Sequence, residues 1–162
     1  MSYSDGTMIL GPELATAEFE TAATLKDYEL PFAYQIEEFG VVVTEAMTAQ
    51  ATDSIWKVQK LTTGGTPVDV ITLTIGNSNT NLKKGDGTKE AQTAISVDTD
   101  LAAGSVVLCP RSTLPVSVTA HTVLRIAVTT GQTGAGGAGV PFVIIRPQGI
   151  DSRSTAVFTD VS

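Results

Sequence analysis

The chain has 162 residues, 42% of them hydrophobic, and carries 10 Lys and Arg against 17 Asp and Glu for a formal charge of −7. That length makes one domain with a full core the default, and the acidic balance disfavours a nucleic-acid partner, because phosphate contacts need clustered cations. A single cysteine, Cys109, excludes an intrachain disulfide, and its place between Leu108 and Pro110 in an apolar run fits burial as a small hydrophobe.

The opening MSYSDGTMILGPELATAEF has no basic leader and no long apolar core, so no secretory signal is expected. Nowhere does an apolar run approach the roughly 20 residues of a membrane helix, so no membrane contact is expected. Residues 1–34 hold Asp5, Glu13, Glu18, Glu20, Asp27 and Glu29 against Lys26. Gly11-Pro12-Glu13 suits a helix start, and Ala15, Phe19, Ala22 and Ala23 share a face at helical spacing. Thr16, Thr21 and Thr24 are weak helix formers, so an extended arm packed on a neighbouring subunit fits equally well. Leu30-Pro31 is the expected end, since a residue before proline avoids the helical region.

Phe32–Thr44 reads as a strand, with Gly40 as a bulge and Val41-Val42-Val43 more deeply buried. Ser54–Thr62 follows, with Trp56 and Val58 on the core side. After the turn Thr63-Gly64-Gly65-Thr66-Pro67, Val68–Ile75 alternates cleanly, with Ile71, Leu73 and Ile75 on one face. The two make a hairpin. Gly76–Glu90 is rich in Asn, Gly and Lys and reads as an exposed loop. Gln92–Val97 and Val106–Leu108 are short strands, the second limited by Pro110. Leu114–Thr119 starts with Pro115, the mark of an edge or a strand entrance. Val123–Val128 and Val140–Ile145 flank a glycine-rich tip and stop at Pro147, which reads as two neighbouring antiparallel strands. Thr155–Phe158 is a last short strand or part of a tail. Eight or nine short strands with Gly, Pro, Asn and Asp between them give an all-β fold, an antiparallel β-sandwich of jelly-roll type. The expected division is an N-terminal acidic arm at 1–34, extended or a short helix, a β-sandwich domain at 35–150 and a C-terminal tail or strand at 151–162.

Candidate chemistry is sparse. His121 is the lone histidine, so neither a His/Cys metal cluster nor a Ser–His pair can be assembled, and no catalytic residue is assigned. Gly131–Gly139, GQTGAGGAG, lacks the lysine of a phosphate-binding loop and the following helix of a dinucleotide fingerprint. It reads as a flexible tip able to order against another protein. Asp98 and Asp100, with Asn77, Asn79, Asn81 and Asp86 nearby, are oxygen-rich, yet the twelve-residue calcium pattern is absent. No metal or cofactor is expected. Glu37 and Glu38 fall on opposite faces and cannot act as an acid–base pair across one bond. Lys83, Lys84 and Lys89 suit a solvated loop that steers toward an acidic neighbour. Trp56, Tyr34, Tyr28 and Phe39 are the residues of an alternative reading, a carbohydrate-binding module.

The run Leu101-Ala102-Ala103-Gly104-Ser105-Val106-Val107, the stretch TVLRIAVTTGQTGAGGAG and the closing VPFVIIRP resemble the small virion proteins encoded near capsid genes in tailed phages. The matching part is roughly Phe39 to Pro147. The resemblance implies, with a carbohydrate-binding or receptor-binding module of a phage tail or fibre as the alternative it leaves, a capsid decoration or cement protein, or a head-fibre base, without catalytic residues. It would sit on the outer surface of the virion, bind the major capsid protein of a phage head and form a homo-oligomer, with a trimer among the options. Its expected contact residues are Glu13, Glu18, Phe19, Glu20, Leu25 and Tyr28 in the arm, and Gly134, Gly136 and Gly137 at the tip.

Overall fold

The structure, a computed structural model, describes residues 7–11, 16–48, 53–75, 101–109, 114–134 and 136–148. Among them are ten strands and no helix. They are β1 (Met8–Leu10), β2 (Ala17–Glu18), β3 (Ala23–Glu29), β4 (Tyr34–Glu45), β5 (Ser54–Leu61), β6 (Pro67–Ile75), β7 (Val106–Leu108), β8 (Val116–Val118), β9 (Val123–Thr130) and β10 (Ala138–Pro147).

The strands form two antiparallel sheets. In the first, β10 and β4 are central; β1 and β2 both pair with β10, and β7 and β8 both pair with β4. The second runs β3-β9-β5-β6. Among the described residues each sheet therefore has four strand positions, and each edge position of the first sheet is filled by two short strands. Successive positions alternate between sheets, except for the β5–β6 hairpin. That order is a jelly roll, the double-sheet architecture that closes a core with Greek-key crossings.

Alternation explains which side chains fill the core. Trp56 and Val58 of β5, Ile71, Leu73 and Ile75 of β6, and Leu124, Ile126 and Val128 of β9 are all buried. From the other sheet Tyr34, Ile36, Phe39, Val41 and Val43 of β4 meet Val143 and Ile145 of β10. A fully buried aliphatic or aromatic side chain contributes about 1.5–3 kcal/mol, so these inner faces supply the main driving force. The buried Trp56 indole N–H donates to Ser54 Oγ at 2.9 Å, which removes the cost of an orphaned donor. Cys109 is buried, as its neighbours suggested, and its thiol donates weakly to the Thr72 carbonyl at 3.6 Å.

Three expectations are corrected. First, the leader is not a separate arm. Residues 8–10, 17–18 and 23–29 are strands of the two sheets, and Phe19 is completely buried, 5.5 Å from Trp56 between ring centroids. Its acidic residues sit between inward-facing apolar ones, a pattern that a half-exposed edge strand shares with a solvated arm. Second, β9 and β10 are not a hairpin: β9 pairs with β3 and β5, while β10 pairs with β4. An apolar–glycine–apolar pattern marks a reversal of the chain but not whether the two strands bond to each other. Third, Gly40 is no bulge. It pairs regularly with Phe142 and Leu108, and the extra residue lies at Glu37, between the Ile36–Ile145 and Glu38–Ile144 pairs. A Cβ at position 40 would stand 2.7 Å from Phe142 Cζ and 2.7 Å from the Val107 carbonyl, so glycine is kept there by close packing.

The expected loop at Gly76–Glu90, the Gln92–Val97 strand, the Asp98/Asp100 pair, the lysine cluster and the 151–162 segment lie outside the described residues.

Tyr34 generates a prediction. Its hydroxyl is buried with no hydrogen-bond partner among the described residues, and burial pushes the phenol well above its usual range. Leaving a hydroxyl unsatisfied costs about 1–3 kcal/mol, so Tyr34→Phe is expected to stabilise the fold by about 1 kcal/mol. A rise of a few degrees in Tm by calorimetry is the expected readout; a fall in Tm would mean that the hydroxyl is bonded in solution.

Candidate interaction surface

Two segments far apart in sequence meet at one end of the sandwich. The crossing from β9 to β10, residues 131–134 and 136–137, lies against the turn from β2 to β3, residues 19–22. The Gln132 N–H donates to the Phe19 carbonyl at 2.8 Å, and the Phe19 N–H donates to the Gly137 carbonyl at 3.3 Å. The Gly136 N–H donates to Glu20 Oε1 at 2.8 Å. The fit is close enough that a Cβ at Gly131 would stand 1.8 Å from the Glu20 carbonyl oxygen. Thr21 Oγ1 donates to Glu18 Oε2 at 3.0 Å, holding that carboxylate at the same end. In the ladder, Glu18, Ala138 and Glu45 form one row across β2, β10 and β4. Glu18, Glu20, Glu45, Gly134 and Gly136 are exposed there, and Gly137 is half-buried. The arrangement is an acidic, braced end with bare backbone at its tip.

Of the residues expected to make contacts, Glu18, Glu20, Gly134, Gly136 and Gly137 are therefore brought together. Phe19 is corrected: it is a core residue, and its burial leaves no surface for a partner. Leu25 and Tyr28 lie along β3, half-buried and packed against the core. Glu13 lies outside the described residues. Glu45 was missed because it falls in a segment read as a plain connection; only the register places it beside Glu18.

The outer faces of the two sheets differ in chemistry. On the β3-β9-β5-β6 sheet, register aligns Asp27, Arg125, Gln59 and Asp69 in one row. Arg125 grips Asp27 through Nε and a terminal nitrogen, each at 2.8 Å, and Gln59 Nε2 donates to Asp69 Oδ1 at 2.8 Å. Lys57 closes the row onto Asp69 Oδ2. The Arg125 hydrogen bond holds the Asp27 carboxyl below its ordinary 3.8, and the Lys57 and Gln59 hydrogen bonds hold Asp69 below it too. On the other sheet, the rows are Val140–Val42–Val106, Phe142–Gly40–Leu108 and Ile9–Ile144–Glu38. That face is a strip of aliphatic side chains with Phe142 lying across Gly40. Antiparallel sheets open to water carry polar residues on that side; the second face does so in its next row, Arg146–Gln35–Ser117, and at Glu38.

The aromatic residues of the carbohydrate-binding alternative are not available as a stacking platform. Trp56, Tyr34 and Phe39 are fully buried, and Tyr28 is half-buried. His121 sits in a turn at φ 60°, exposed, with Nδ1 3.4 Å from Glu29 Oε1. Glu37 leaves the strand pattern at its bulge and pairs with Arg146 at 2.9 Å. Among the described residues no group of three or more His, Cys, Asp or Glu is placed to hold a metal ion.

The braced end predicts that Gly131→Ala destabilises by about 3 kcal/mol, since the clash is with backbone that cannot rotate away. Gly64→Ala, where a Cβ meets nothing within 4 Å, is the matched control and is expected to be near neutral in urea unfolding. The charged row predicts acid sensitivity. Because the folded carboxyls titrate below their unfolded value, the stabilisation is complete above that value and is lost as pH falls through the folded one. Asp27→Asn with Asp69→Asn should lower stability at neutral pH and flatten its fall below about pH 4. Melting curves across that window that run parallel for the two proteins would contradict the assignment.

No protein-family model matches the chain, and no curated protein does. Among solved structures, a chain of infectious bursal disease virus, Gx strain, matches over 92% of this chain and 34% of its own length, at 12% identity and a TM-score of 0.37. A chain of the Gt strain of the same virus matches over 93% of this chain and 31% of its own, at 14% identity and a TM-score of 0.31. This chain thus spans about a third of the length of either. The jelly-roll assignment rests on the strand order itself.

Proposed function

We propose that the protein is a structural virion component that binds the outer surface of a phage capsid as a decoration or cement protein and stabilises the shell. The observation that carries the reading is the braced acidic end. The backbone bonds at Phe19 and the Glu20–Gly136 contact fix a small, charged, backbone-exposing tip on a rigid jelly roll. A preformed tip loses little conformational freedom on docking, and many copies repeating a modest contact bind a lattice strongly. Its carboxylates suit a basic patch on the major capsid protein. Fold alone does not decide function, since jelly rolls also serve lectins and cupins. The resemblance of the sequence to phage virion proteins and the buried aromatics weigh for the shell over the glycan.

Deleting residues 1–34 is not a clean test, because it removes strands from both sheets. Point changes at the tip are. Glu20→Gln combined with Thr133→Arg alters charge and profile at two exposed positions. Purified protein should co-sediment with undecorated capsids and raise their rupture temperature. Attachment should weaken with added salt, as exposed charge pairs do, and the double variant should bind about tenfold less tightly while melting like the parent. Attachment indifferent to both salt and the tip changes would overturn the reading.

A further inference from the structure

We draw no further inference here: the strongest candidate, the outer edge of β6 with Val68 exposed near its start, already gives its Thr72 carbonyl to the Cys109 thiol, and nothing in the structure shows what covers the rest of it.

Discussion

The seating of Phe19 between the two sheets is the contact on which the rest of the architecture depends. Its ring packs at a tilt on Trp56, whose indole is itself pinned by Ser54. Its backbone, through both N–H and carbonyl, clamps the crossing that carries the chain from β9 into β10. One residue thereby closes the core at one end, fixes the entry into the central strand of the first sheet and draws the leader into the body. Burying an aromatic ring this fully is worth several times the individual hydrogen bonds around it. The bonds set its position and the ring supplies the free energy.

The two sheets then divide the work of meeting solvent. One satisfies its outward side internally, with a row of side chains from all four strands neutralising one another. The other mixes an aliphatic strip, in which Phe142 lies over Gly40, with a polar row of Arg146, Gln35 and Ser117.

How much of this was legible in the sequence depended on the range of the interaction. Period-two alternation in Ile71–Ile75, beside a Gly-Gly turn, gave the β5–β6 hairpin and its core face correctly, because both signals are local. Trp56 and Val58 were placed inside for the same reason. The partners of β9 and β10 were not legible. Each bonds to strands distant in the chain, and local pattern carries no information about which. The leader was misread because Glu18, Glu20 and Asp27 dominate its composition, while the residue that decides its fate, Phe19, looks like any other isolated aromatic. Gly40 illustrates a further limit: a glycine in a strand signals either a bulge or a close approach, and only the neighbours Phe142 and Leu108 tell them apart. At the braced end, the sequence named most of the residues that meet but not that they meet one another. Glu45 entered only through register.

Among the described residues, both borders of the β10–β4 sheet are made of short strands, β1 and β2 on one side and β7 and β8 on the other. A strand of two or three residues offers too few free backbone groups to template a foreign strand. These described stretches therefore give little template for open-ended growth into fibrils.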